Sequence, residues 1–323
     1  MSQPFKAAYG LKNRHAQTLY SSFFRGTIKL DFEIERFELS DGDFVDCYWY
    51  GKPQKDSVKP IVILFHGLAG SYKSPYIQGT MKKLSENGFA SVVMHFRGCS
   101  GENNRLERAY HSGDSGDSYA WIKNLKSEFK NSKIFAIGYS LGGNMLLKLL
   151  GEYGDSSKLD GAISISAPLQ LDICANQMDN GFSKFYQKHL LKSLNNQLEN
   201  KFDKHDMHSL IGIKKSDVKE IKTFWEFDNI YTAPIHGFAS AQDYYTRCSS
   251  KQYLKNIRTK TLIIHSMDDP FMTPEVLPTQ NELSQSIKLE LYPNGGHVGF
   301  ISGTFFQPKY WLEDRIIEYF KYN

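Results

Sequence analysis

Cysteine is scarce. The four in 323 residues, Cys47, Cys99, Cys174 and Cys248, are too far apart to make a C-x-x-C pair or a dense disulfide framework, which fits buried thiols in a reducing compartment. No apolar run approaches the roughly 18 residues that a spanning helix needs. Residues 1–15 hold no apolar segment of the kind that opens a secretory signal. The expectation is a soluble, cytoplasmic protein with no transmembrane segment. Charge of one sign is also lacking: lysine and arginine number 39 against 35 acids, a net charge of +4. With no basic block to track phosphates, nucleic acid is excluded as an expected partner. Neither G-x-x-x-x-G-K-[ST] nor a strand-associated G-x-G-x-x-G occurs, so no cofactor is inferred. His205 and His208 share a three-residue spacing but have no third ligand near them, which argues against a metal. No internal repeat or low-complexity tract is present.

What the chain does have is 41% hydrophobic residues, enough for one large core with an insertion. Residues 32–37 and 44–50 alternate in polarity around Ser40-Asp41-Gly42, which predicts an antiparallel hairpin. The runs 61–65, 90–94, 134–137, 162–165 and 261–265 are continuously apolar, as in strands covered on both faces. Residues 288–292 complete the series. A helical stretch over 76–87 joins the first two runs into a βαβ unit. Asp114 and Asp117 are placed to cap a helix before Tyr119-Ala120-Trp121-Ile122, and a last helix is expected over 308–319. This order predicts an α/β fold with a mostly parallel central sheet and helices on both faces. About ninety residues follow Pro168 where a crossover needs about a dozen, and they read as helices. The division expected is a core of residues 1–168 and 236–323 with an inserted helical cap at 169–235. Mixed-sign charge over the cap argues against a membrane anchor there. Its Phe185, Tyr186, Phe224 and Trp225 are candidates to cover a bound chain.

The most informative motif is Gly138-Tyr139-Ser140-Leu141-Gly142, set between the apolar run 134–137 and a helical pattern that begins near Asn144. A serine where a buried strand turns sharply into a helix is a nucleophile elbow, with glycines where neighbouring backbone leaves no room for Cβ atoms. A hydroxyl needs a base to remove its proton and an acid to hold that base in the right tautomer. In this arrangement the partners follow in the order Ser, Asp, His on loops after later strands. Asp268-Asp269-Pro270 follows one strand, and Gly295-Gly296-His297 follows the next. Asp269 is preferred over Asp268 because it heads Asp-Pro-x-apolar, a turn that fixes the loop. His15, His95, His111, His189, His236 and His265 read as structural. His66-Gly67-Leu68-Ala69-Gly70 follows the strand 61–65, where the backbone N–H of Leu68 would pair with that of Leu141 as an oxyanion hole. His66 itself reads as a residue that shapes this loop.

With these residues in place, the chain resembles the YheT-like α/β-hydrolases, bacterial relatives of the mammalian abhydrolase-domain lipases and of yeast medium-chain ethyl-ester synthases. Beyond the elbow, the resemblance runs through His66-Gly67-Leu68-Ala69-Gly70-Ser71, His95-Phe96-Arg97-Gly98-Cys99-Ser100-Gly101-Glu102, Tyr110-His111-Ser112-Gly113, Asp268-Asp269-Pro270-Phe271 and Gly295-Gly296-His297-Val298-Gly299-Phe300. Arg14 and Ala16 stand where relatives often carry Pro and Leu. The resemblance implies Ser140 as nucleophile, Asp269 as orienting acid, His297 as base, and hydrolysis of carboxylic esters. The expectation is therefore a cofactor-free serine esterase acting on a small-molecule acyl ester of short to medium chain. An acyltransferase on the same three residues is the alternative, and a ligand-binding protein that has kept the fold is a third. Oligomeric state is not legible in the sequence.

Overall fold

The computed structural model describes residues 4–322. A helix, α1 (Arg14–Phe24), precedes the hairpin β1 (Glu33–Glu38) and β2 (Phe44–Tyr50). Next come β3 (Ile61–Phe65), α2 (Pro75–Glu86), β4 (Ala90–Met94), α3 (Ser115–Glu128), β5 (Ile134–Tyr139), α4 (Leu141–Tyr153) and β6 (Gly161–Ile165). The eight-stranded sheet is completed by β7 (Thr261–Ser266) and β8 (Ile287–Tyr292), in the order β1-β2-β4-β3-β5-β6-β7-β8. Only β2 runs antiparallel to its neighbours, β1 and β4. From β4 to β8 all pairs are parallel. The α/β fold expected from the repeated strand–helix order is the one observed.

The alternation of side chains along β3 shows why the central strands are apolar throughout. Ile61, Ile63 and Phe65 point into one core with Trp121 and Leu125 of α3 and Met145 and Leu149 of α4. Val62 and Leu64 point into the other, with Ile77 and Met81 of α2. Each face is thus closed by helices, and each such fully buried side chain contributes roughly 1.5–3 kcal/mol. At the margin, β8 is only partly buried.

Between β6 and β7 the chain rises into α5 (Leu171–Met178), α6 (Ser183–Phe202), α7 (Met207–Ile211), α8 (Phe224–Phe227), α9 (Ala233–Ile235) and α10 (Ala241–Cys248). This segment carries its own apolar cluster, including Leu191, Leu198, Met207, Val218 and Phe227. Leu68 and Ala109 of the core pack against it, and a buried polar contact joins the two. Lys201 Nζ donates to Asn104 Oδ1 at 2.6 Å and to the Leu106 carbonyl at 2.5 Å, and burial lowers its pKa to about 8.

Two local expectations are corrected. The last helix does not begin at Pro308: Pro308–Tyr310 forms a strand, β10, paired with β9 (Ile301–Gly303), and α11 (Trp311–Tyr322) starts after it. Asp114 sits at the N-cap of α3, but its side chain makes no capping bond. Instead Asp114 pairs with Arg108 at 2.6 Å, and Asp117 pairs with Arg97 at 2.6 Å. A nearby guanidinium offers each carboxylate a stronger, charge-assisted partner than a backbone N–H. Arg97 also meets Asp41 at 2.8 Å and Asp43 at 3.0 Å. The Arg97-Gly98-Cys99-Ser100-Gly101 motif is therefore a buried clamp between the hairpin and α3.

The elbow depends on close backbone approach. A Cβ on Gly142 would lie 2.5 Å from the Phe65 carbonyl oxygen and 2.6 Å from that of His66. Gly142→Ala is expected to cost about 3 kcal/mol or more through overpacking that no side-chain rotation relieves. Gly116, in α3, has nothing within 4 Å of its added Cβ, so Gly116→Ala should instead add about 0.5–1 kcal/mol. Urea unfolding of the two variants checks the contrast, and a Gly142→Ala midpoint equal to wild type would contradict the close approach.

Candidate active site

Parallel strands deliver their loops to one edge, where ligands of open α/β sheets bind. The turn after β5 holds Ser140 at φ +52°, a left-handed backbone that costs a non-glycine residue on the order of 1–3 kcal/mol. The packing of α4 against the sheet holds it there, with Ser140 N donating to the Ile165 carbonyl at 2.9 Å. The loop after β7 supplies Asp269 and the loop after β8 supplies His297. The structure brings all three together: Ser140 Oγ lies 2.9 Å from His297 Nε2, and His297 Nδ1 lies 2.8 Å from Asp269 Oδ2.

Each partner is held from behind. The other oxygen of Asp269 accepts the Phe271 N–H at 2.8 Å, the Asx turn that Asp-Pro-x-apolar foreshadows. The Phe271 ring stacks on the His297 imidazole, centroids 3.8 Å apart and 8° from parallel. Asp268 points elsewhere, accepting the Gly296 N–H at 3.0 Å. His297 N–H donates to Thr18 Oγ1 of α1 at 2.9 Å, across 279 residues of sequence. An imidazole with a carboxylate on Nδ1 presents Nε2 as an acceptor, so this chain can take the hydroxyl proton of Ser140.

The loop after β3 lies against Ser140, since a Cβ on Gly67 would be 3.3 Å from Ser140 Cβ. Gly67 N–H donates to Tyr76 Oη and Ala69 N–H to Tyr110 Oη, both at 2.9 Å. Among the described residues the N–H of Leu68, between them, has no acceptor. Leu141, as the first residue of α4, likewise has no intrahelical acceptor. His66 is fully buried. Its Nδ1 faces the Gly67 carbonyl at 2.7 Å and Nε2 accepts the Phe96 N–H at 3.2 Å. Burial and the neighbouring His95 lower its pKa to about 3, so it stays neutral and shapes the loop.

Two cavities meet at Ser140 and His297. One is narrow, about 130 Å³, and runs beneath the helices past Leu171, Met178, Leu194 and Phe227. The other is a larger groove of about 520 Å³ between α1 and α6, lined by Thr18, Phe23, Tyr76, Phe185 and Tyr186. Of the four cap aromatics singled out in the sequence, Phe224 reaches the narrow cavity and Phe185 and Tyr186 the groove. Trp225 reaches neither and stacks edge-on against Tyr245.

Sequence reasoning missed the polar patch in the narrow cavity. Asp228 opens a π-helical turn, Asp228–Thr232, and accepts a 2.6 Å hydrogen bond from Tyr245 Oη. Burial pushes its carboxyl up to about 6 against the hydrogen bonds from Thr232 and Tyr245. A π turn is common at functional sites, but nothing in the residue types of Asp228-Asn229-Ile230-Tyr231-Thr232 signals one. Thr18 and Phe271 were missed as partners of His297. Among the described residues no cluster of three His, Cys, Asp or Glu side chains could hold a metal, and the four cysteines are buried free thiols.

The family model for the α/β hydrolase fold matches residues 60–304. The chain is 42% identical over 315 residues to "Putative esterase YheT" of Escherichia coli (strain K12), covering 98% of this chain and 92% of that one. It is 30% identical to the "Monoacylglycerol lipase" of Saccharomyces cerevisiae, over 82% of this chain and 57% of the yeast protein. Among solved structures it superposes on the Pyrococcus furiosus esterase Pf2001 with a TM-score of 0.58 at 16% identity, covering 91% of each chain.

Proposed function

The chain belongs to the α/β-hydrolase fold family, and on that premise we propose that it is a serine esterase with Ser140 as nucleophile, His297 as general base and Asp269 as orienting acid. The observation that carries this reading is the unbroken hydrogen-bonded path from Ser140 Oγ through His297 to Asp269, at 2.9 and 2.8 Å. His297 Nε2 takes the proton as Ser140 Oγ attacks the ester carbonyl. The tetrahedral oxyanion is stabilised by the N–H groups of Leu68 and Leu141. On collapse the imidazolium returns its proton to the departing alcohol, leaving an acyl-enzyme. Water, deprotonated by the same imidazole, then releases the acid.

The acyl chain occupies the narrow cavity, with residues 169–235 acting as a cap over it, and the alcohol faces the larger groove. A cavity of about 130 Å³ suits a short to medium acyl chain. The test is hydrolysis of p-nitrophenyl esters from acetate to palmitate. The expected optimum lies at short to medium length, with kcat/KM for palmitate at least about tenfold below it. A palmitate optimum would place the chain in the larger groove instead.

A further inference from the structure

Large aromatic side chains are exposed on one face of the molecule, around the end of α1 and the β9–β10 hairpin. Phe306 is 90% exposed, Tyr9 84%, Phe23 68% and Phe24 61%. They are neighbours rather than scattered. The Phe24 ring lies 5.4 Å from that of Phe305, which lies 5.2 Å from Phe306. Tyr9 bridges to Thr304, its N–H donating to the Gly303 carbonyl at 3.1 Å. The Tyr20 hydroxyl, 2.5 Å from the Phe305 carbonyl, fastens the hairpin to α1.

Charge on the same segments is of one sign. Residues 1–30 and 291–312 contain Lys6, Lys12, Arg14, Arg25, Lys29 and Lys309 and no aspartate or glutamate. Against a net charge of +4 for the whole chain, the remainder is therefore net acidic by two. Arg25 is paired with Glu313 at 2.6 Å. No ion pair joins the other five among the described residues. The cap, by contrast, mixes both signs around its own exposed Phe182 and Phe185.

We propose that this face docks on an anionic lipid surface, with Phe306, Tyr9 and Phe24 entering the headgroup layer and Lys12 and Lys309 meeting lipid phosphates. Aromatic rings favour that interfacial depth, and basic residues close to an anionic surface are attracted to it. A second copy of the chain fits the face poorly, because a two-fold contact would set the same unpaired cations against one another. Docking is peripheral, since no described helix is long and apolar enough to cross a membrane. The face is continuous with the larger groove, whose wall includes Thr18, Leu19, Ser22 and Phe23 of α1 and which reaches Ser140. On the esterase reading above, an ester held in the lipid layer enters by that groove. The docking itself does not rest on that reading.

The test is cosedimentation with vesicles of phosphatidylcholine alone and of equimolar phosphatidylcholine and phosphatidylglycerol, using wild type, Tyr9→Ser/Phe306→Ser and Lys12→Glu/Lys309→Glu. Wild type is expected to pellet with the anionic vesicles only, and less so as salt is raised. Each double variant should bind about tenfold or more weakly, with unchanged circular dichroism and unchanged turnover of soluble p-nitrophenyl acetate. Failure to bind either vesicle, equal binding to both, or wild-type binding by both variants would overturn the proposal. So would concentration-dependent dimerisation that Tyr9→Ser/Phe306→Ser abolishes, which would assign the face to a second copy. Retained vesicle binding by a protein that cleaves no ester would sink the esterase reading and leave docking standing.

Discussion

Ser140→Ala is expected to lower the turnover of a good p-nitrophenyl ester by about 10⁴- to 10⁶-fold, the cost of removing the proposed nucleophile from a hydroxyl–imidazole–carboxylate chain that acts as a unit. The protein itself should survive the change. Ser140 has a strained backbone, φ +52°, but alanine carries the same Cβ and inherits the same strain. Its hydroxyl bonds to His297, and the backbone bonds that hold the turn remain, including Ser140 N to the Ile165 carbonyl. The melting temperature should therefore move by only a few degrees. The same variant should also lose covalent labelling by a fluorophosphonate, read as the absence of the added mass on the intact protein. Activity within tenfold of wild type would mean that the attacking group is elsewhere.

Asp269→Asn and Asp268→Asn should part company by about three orders of magnitude. Asp269 holds His297 Nδ1 at 2.8 Å, and an amide there lets the imidazole adopt the wrong tautomer and removes the charge that stabilises the imidazolium. Loss of this kind costs about 10⁴ in kcat. Asp268 touches the base only through the backbone, accepting the Gly296 N–H at 3.0 Å and the Asn294 side chain at 3.4 Å. Asparagine keeps one acceptor oxygen for the Gly296 N–H and gives up only the longer contact to Asn294, so Asp268→Asn should stay within about tenfold of wild type. Single-turnover kinetics on an activated ester measure both, and the reverse ranking would reassign the acid.

The sheet was legible because a strand buried on both faces leaves little but apolar residues, and residues 61–65, 90–94 and 134–137 are of that kind. The elbow was legible because the close approach at Gly142 tolerates only glycine. Features set by pairing across the chain were not. α1 carries a buried Gln17, and its importance lies in Thr18 reaching His297, which no local pattern encodes. Residues 308–310 read as helix until β9 is present to pair with them. Asp114 and Asp117 are placed as caps by local rules, yet arginines brought close by the fold take them. The π turn at Asp228 is a departure of one residue in backbone winding, invisible to periodicity.

Two cavities of unequal volume share Ser140, and on the esterase reading this bears on the fate of an acyl-enzyme. With the acyl half lodged in the smaller one, the first product would leave by the larger, and whatever comes next would arrive by the same route. Water and any alcohol dissolved or anchored there would then compete for one vacated seat, so the balance between acid and new ester would be set by the furnishing of that vestibule rather than by Ser140, His297 and Asp269.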